Sequence, residues 1–239
     1  GLEKIVKEFR PDVLLVQGDT TTVFAGALVG FYHQVKIGHV EAGLRSGNLY
    51  SPYPEEANRK MTGVLTHYHF APTEEAANNL MMENYSSEKI YVTGNTVIDA
   101  LIHVVDDNYL FEDSLLDSLD YNNKKIILLT AHRRENIGEP MVNIFKAIKR
   151  VIEENEDVEV LYPIHLNPKV REIAKKTFGT IGRIHIIEPL DYLSFANLIN
   201  KSHLVVTDSG GIQEEAPTLG KPVLVVRKET ERPEGIAAG

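Results

Sequence analysis

Three carboxylates in the first quarter of the chain sit where a strand gives way to a turn or a helix begins. Asp19 lies in Gln17-Gly18-Asp19-Thr20-Thr21-Thr22, directly after the apolar run Val13-Leu14-Leu15-Val16. Glu41 lies in His39-Val40-Glu41-Ala42-Gly43-Leu44-Arg45-Ser46-Gly47, and Glu55 in Ser51-Pro52-Tyr53-Pro54-Glu55-Glu56-Ala57-Asn58-Arg59. Carboxylates gathered at one edge of a sheet push one another's pKa values apart, which is what acid/base catalysis needs. Each also has a bland reading. Asp19 or Thr20 suits an N-cap, the Glu41–Arg45 segment suits a surface loop with an exposed ion pair, and Glu55 with Arg59 suits a surface pair at i and i+4. Pro54 followed by two carboxylates is also simply a good helix start.

The second half carries groups suited to anions. Thr130-Ala131-His132-Arg133-Arg134-Glu135-Asn136 follows the apolar run Ile126 to Leu129, so His132 and Arg133 read as an anion site with a proton shuttle, or as a polar exposed turn. Tyr162-Pro163-Ile164-His165-Leu166-Asn167-Pro168 repeats the pattern more weakly. The most specific segment is Val205-Val206-Thr207-Asp208-Ser209-Gly210-Gly211-Ile212-Gln213-Glu214-Glu215. A strand, then Ser209-Gly210-Gly211, then a helix start aims unpaired amides and the helix dipole at one spot, which receives phosphate. Glu215, one turn further, suits a ribose hydroxyl pair. The competing reading is a tight turn with no ligand. His67 and His69 lie two apart with no third ligand at metal spacing, so they are expected to be packed or hydrogen-bonded.

Positioning these groups takes a regular framework. Continuous apolar runs predict strands at Val13 to Val16, Val35 to Val40, Tyr68 to Ala71, Ile90 to Val92, Ile126 to Leu129, Val158 to Tyr162, Ile184 to Ile187, Leu204 to Val206 and Val223 to Val226. Helical spacing falls between most of them, at Thr21 to Tyr32, Glu55 to Leu65, Thr73 to Met82, Thr96 to Val105, Met141 to Glu154 and Leu193 to Asn200. Leu2, Ile5, Val6 and Phe9 keep the same spacing up to Pro11, as in a packed helix. Strands buried on both faces and alternating with helices predict an α/β fold with doubly wound parallel sheets. Residues 106–125 are acidic, rich in Asn and poorly patterned. They are taken as a linker between two Rossmann-like domains, 1–105 and 126–239, with the active site in the cleft between them.

Composition removes whole classes of function. With 43% hydrophobic residues and no low-complexity tract the chain is globular, and 239 residues suffice for one large or two small domains. A net charge of −9 argues against nucleic acid or a membrane as partner. The absence of cysteine removes thiolate metal sites, disulfides and cysteine nucleophiles. No apolar run approaches the ~18 residues of a membrane span. No Walker A run and no Gly-x-Gly-x-x-Gly are present, so ATP hydrolysis and dinucleotide binding lose support.

The segments Gln17 to Thr22, His39 to Arg45, Ser51 to Arg59, His132 to Asn136, Tyr162 to Pro168, Asp208 to Pro217 and Arg227 to Pro233 together resemble the non-hydrolysing UDP-N-acetylglucosamine 2-epimerases. The likeness spans essentially the whole chain. It implies a GT-B-like pair of Rossmann domains interconverting UDP-GlcNAc and UDP-ManNAc without metal or redox cofactor. UDP leaves across C1 and C2 to give a glycal, then adds back with inversion at C2. By this resemblance Asp19, Glu41, Glu55 and His132 are catalytic, without assigning which carboxylate takes the C2 proton. Arg133, Ser209, Gly210, Gly211, Glu215 and Arg232 hold the UDP-sugar. The resemblance further implies a cytoplasmic homodimer in cell-envelope polysaccharide synthesis, with UDP-GlcNAc acting in some relatives as activator as well as substrate.

The chain departs from the family pattern in lacking the initial strand with its Gly-Thr-Arg-Pro-Glu segment and the terminal helices. It also has Ala131 and Gly235 where Gly and Ala are expected. It therefore reads as a fragment, expected to keep partial nucleotide binding and little turnover, with a sheet edge laid open. Two alternatives remain: a hydrolysing relative releasing ManNAc and UDP, and a non-catalytic nucleotide-sugar binding module. A GT-B glycosyltransferase fits the carboxylate cluster less well.

Overall fold

The computed structural model describes residues 1–228, 230–232 and 235. The chain forms two compact units, residues 1–96 with 229–239, and residues 97–228. The first unit runs α1 (Leu2–Phe9), β1 (Val13–Gln17), α2 (Thr21–Tyr32), β2 (Lys36–Val40), α3 (Glu55–Leu65), β3 (Tyr68–Ala71), α4 (Glu74–Met82), β4 (Ile90–Val92). Its sheet is parallel throughout, in the sequential order β1-β2-β3-β4. Helix α2 lies close against the sheet because Gly26 and Gly30 offer no Cβ there. A Cβ on Gly26 would stand 3.1 Å from Val16, and one on Gly30 would collide with Ile37.

The second unit holds α5 (Thr96–Val104, its first residue counted with the first unit), α6 (Ser114–Ser118), β5 (Lys125–Thr130), α7 (Glu139–Glu154), β6 (Val158–Pro163), α8 (Pro168–Phe178), β7 (Ile184–Ile187), α9 (Tyr192–Lys201), β8 (Leu204–Thr207), α10 (Ile212–Thr218) and β9 (Val223–Val225). All its pairings are parallel, in the order β7-β6-β5-β8-β9. The chain winds outward from β5 through β6 to β7, then returns to β8 on the other side. The order reverses between β5 and β8, whose ends are in register at Thr130 and Thr207. Ligands of open α/β sheets bind beyond the strand ends at such a reversal. The core is a continuous apolar layer from Ile127, Leu129, Val160 and Tyr162 to Phe145 and Phe178. A second layer on the other face includes Leu128, Leu161, Leu198 and Val205.

Both parallel α/β sheets are as the apolar runs predicted, but three local expectations change. Strand β1 is not buried on both faces: only Val16 is, while Leu15 is 62% exposed. The reason is its place at the sheet edge, where β2 is its one neighbour among the described residues. On α1 only Val6 is buried, and Leu2, Ile5 and Phe9 are exposed. Residues 106–125 are also not a bare linker. They carry α6, capped by Asp113, and put Phe111 and Leu116 into the second unit's core. The compact units part near Thr96, with residues 229–239 counted in the first.

Candidate functional site

In the first unit the three carboxylates are carried by two consecutive strand–turn–helix connections, Asp19 between β1 and α2 and Glu41 and Glu55 at the two ends of the one between β2 and α3. Thr20 caps α2, its hydroxyl accepting from the Val23 amide at 3.4 Å, so Asp19 is not spent on that role. Instead Asp19 is ion-paired with the buried guanidinium of Arg59, while Asn58 Nδ2 donates to the Asp19 carbonyl at 3.0 Å. Glu41 follows β2 with a left-handed backbone, φ 67°. A non-glycine residue held there costs of order 1–3 kcal/mol, and such strain concentrates at functional sites. Its carboxylate lies beside Gly18, since a Cβ built on Gly18 would stand 3.5 Å from Glu41 Oε2. Arg232 Nη2 donates to Glu41 Oε1 at 2.7 Å, and Asn95 Nδ2 lies 3.5 Å from the same oxygen. Glu55, half-buried, is the first residue of α3, and among the described residues no donor holds its carboxylate.

Beneath these turns lies a histidine the sequence pattern did not single out. His39, 1% exposed on β2, meets the Gly18 carbonyl through Nε2 at 2.7 Å. A carbonyl only accepts, so Nε2 carries a proton, and burial disfavours a second one on Nδ1. Burial pushes the ring's pKa down to about 4. His69, its register partner on β3, is likewise buried, packs on Tyr85 and has its pKa pushed down to about 4 by burial. His67 stands just before β3 and accepts from the Ile37 amide at 3.2 Å. Arg45, read as a ligand-loop or surface cation, is instead buried. It pairs with Glu83 through two bonds of 2.9 and 2.7 Å, an arrangement that holds the loop's backbone.

In the second unit the reversal between β5 and β8 brings His132, Arg133 and the Ser209-Gly210-Gly211 turn together. The group that joins them is Asp208, wholly buried, which the sequence reading passed over. Its Oδ2 accepts from the amides of His132 at 3.0 Å and Arg133 at 2.9 Å and from Asn136 Nδ2 at 3.0 Å. The signal was an acid directly after an apolar strand and before Ser-Gly-Gly. His132 is stacked on His165 with ring centroids 5.2 Å apart, and burial lowers its pKa against the opposing charge of Asp208. Arg133 is half-buried, and its Nε has no hydrogen-bond partner.

The amides of Gly210, Gly211 and Ile212 donate to no partner among the described residues, which leaves them for an anion. The half-buried Ser209 donates its amide to Thr207 Oγ1 at 2.9 Å. Glu215 is buried at the first turn of α10, with Tyr192 Oη donating to it at 3.5 Å and burial raising its pKa.

A family model described as UDP-N-acetylglucosamine 2-epimerase matches residues 1–239. The chain belongs to that family. A UDP-N-acetylglucosamine 2-epimerase of Bacillus subtilis strain 168 is 59% identical over 238 residues, covering 100% of this chain and 62% of the relative. The crystal structure of the UDP-GlcNAc 2-epimerase from Neisseria meningitidis bound to UDP-GlcNAc is 49% identical with a TM-score of 0.94, covering 99% of this chain and 65% of that one. The Methanocaldococcus jannaschii UDP-GlcNAc 2-epimerase, in complex with UDP-GlcNAc and UDP, is 38% identical with a TM-score of 0.80, covering 99% of this chain and 66% of that one. This chain spans between 62% and 65% of the length of the curated relatives it matches.

One of the expected site residues has a different partner here. Arg232, expected at the UDP, is engaged here with the carboxylates of Glu41 and Glu231. Pro233 and Glu234 of the same motif lie outside the described residues. Among the described residues, no helix is long and apolar enough to cross a membrane.

Proposed function

We propose that the protein interconverts UDP-GlcNAc and UDP-ManNAc, and that one observation carries the reading. In a chain of the epimerase family, Asp19, Glu41 and Glu55 occupy the connections at β1, β2 and the start of α3, with the first two held by arginines. In the forward step a carboxylate takes the C2 proton, the C1–O bond breaks with its electron pair leaving on UDP, and a C1=C2 glycal remains. In the return step UDP oxygen bonds to C1 while C2 takes a proton on the opposite face. Two acid/base groups on opposite faces of the sugar are required, and clustered carboxylates supply them. His132 and Arg133 stabilise charge building on the departing diphosphate, the Gly210, Gly211 and Ile212 amides receive its oxygens, and Glu215 accepts from ribose hydroxyls. Ser209 hydroxyl and Arg232 complete the UDP contacts, Arg232 after exchanging Glu41 for phosphate.

The reading carries with it a homodimer acting in the cytoplasm, in the synthesis of envelope polysaccharide, with no metal or redox cofactor. Proton NMR of UDP-GlcNAc with the protein in deuterated water tests it. UDP-ManNAc bearing deuterium at C2 is expected, slowly from this chain and faster from one extended to its relatives' length. Free ManNAc with UDP would instead mark a hydrolysing enzyme. Absence of exchange, both in this chain and in one extended to its relatives' length, would leave a nucleotide-sugar binding module.

A further inference from the structure

Arg59 stands four residues after Glu55, the spacing of a surface ion pair, yet it does something else. Its side chain is buried and turned away from Glu55 toward three other groups. Nη2 holds the Asp19 carboxylate, Nη1 donates to Glu56 Oε2 at 3.1 Å, and Nη1 also lies 3.5 Å from the Leu44 carbonyl. Glu56 is wholly buried, and its other acceptor sites take the amides of Ser46 at 3.1 Å and Gly47 at 3.4 Å.

The Arg59–Glu56 pair therefore ties together three segments: the turn after β1 that carries Asp19, the loop after β2 that begins at Glu41, and the first turn of α3 that carries Glu55. An arginine's planar fork holds several acceptors in fixed relative positions, which a flexible ammonium does not. A charged pair sealed from water is costly to maintain, and fixing geometry is one recognised use of it.

The geometry points to Arg59 as the positioning residue of the acid/base site: through Asp19 it sets the carboxylate's place against the sugar, and it touches no substrate itself. The inference rests on the reading of Asp19, Glu41 and Glu55 as acid/base groups. A misplacement of about 1 Å in such a site costs about 10²-fold in rate.

The test uses the protein in the C2-deuterium NMR assay with Arg59→Met, Arg59→Lys, Asp19→Asn and the Arg59→Met/Asp19→Asn double variant. Arg59→Met is expected to lower kcat by about 10²-fold with KM within about threefold, because the lost interaction acts on the reacting group. Guanidinium at tens of millimolar is expected to restore about tenfold of that loss, since it can reoccupy the site between Asp19 and Glu56. In the Asp19→Asn background the Arg59→Met change is expected to cost less than about threefold, as for two residues acting as one unit.

Wild-type kcat in Arg59→Met, or an undiminished Arg59→Met loss in the Asp19→Asn background, overturns the inference. If Arg59→Met does not fold, Arg59→Lys decides: wild-type kcat there overturns it, and a loss in kcat alone supports it. Absence of exchange by the unaltered protein is a different failure, that of the epimerase reading itself.

Discussion

Asp208 holds the second unit's site by a purely electrostatic device, and replacing it with asparagine measures how much that device matters. The carboxylate is fully buried and Oδ2 alone accepts three donors: the amides of His132 and Arg133 and the side chain of Asn136. The His132 amide also lies 3.1 Å from Oδ1. An asparagine of the same shape puts its carbonyl where Oδ2 was, but its NH2 then faces the His132 amide, donor against donor. Each of the three charge-assisted bonds reduced to a neutral one loses about 1 kcal/mol, and a repelled buried donor adds about 1–3 more, for a total of about 4–6 kcal/mol. For a unit of this size that corresponds to a fall of about 10 °C or more in its melting temperature. Calorimetry with the two units' transitions resolved is the assay, paired with amide exchange at His132 and Arg133, which should lose protection. A melting temperature within about 2 °C of the parent would show that the strand ends and the stacked His165 hold the loop without Asp208, and would refute the reasoning.

In a chain extended to its relatives' length, each of Asp19→Asn, Glu41→Gln and Glu55→Gln is expected to cut turnover by at least about 10²-fold, the scale of a lost acid or base, in the C2-deuterium NMR assay. Wild-type rates for all three would remove the acid/base assignment. The first unit should weaken in mild acid: His39 and His69 bind protons near pH 6.5 unfolded but only near 4 folded, so the unfolded chain gains protons first as pH falls. Their stabilisation is intact above about pH 6.5 and is lost progressively toward pH 4, at roughly 3 kcal/mol per histidine over the window, read as the urea midpoint against pH. His39→Gln, which keeps a donor for Gly18, should flatten that dependence by about half. Gly43 has φ +89° and a Cβ there would press into the Ala76 carbonyl, whereas Gly47, φ +79°, faces open space. Gly43→Ala should therefore cost about 2–4 kcal/mol against about 1 for Gly47→Ala; equal effects in urea unfolding would deny that α4 packs on this turn.

The strands and helices were legible because their signals are local. The helices Thr21–Tyr32 and Glu55–Leu65 and the strands Tyr68–Ala71 and Ile184–Ile187 take the bounds that apolar periodicity drew. Helix α8 was not among them although Val170, Ala174 and Phe178 keep helical spacing, and α6 is too short to show periodicity. The carboxylates and the Ser209-Gly210-Gly211 turn were also visible, since residue type and a strand end are properties of the chain alone.

Which group each one meets was not visible. Arg59 passes over Glu55, four residues away, for Asp19, forty residues earlier in the chain, and Arg45 turns from Glu41 to Glu83. His39 became a buried neutral donor because β1, β2 and β3 lie side by side. Asp208 gained its amides because the chain returned from β7 to place β8 against β5. Hydrogen bonds and ion pairs act over a few ångströms of space. Their partners are fixed by the order of strands in the sheet, which no spacing along the sequence records.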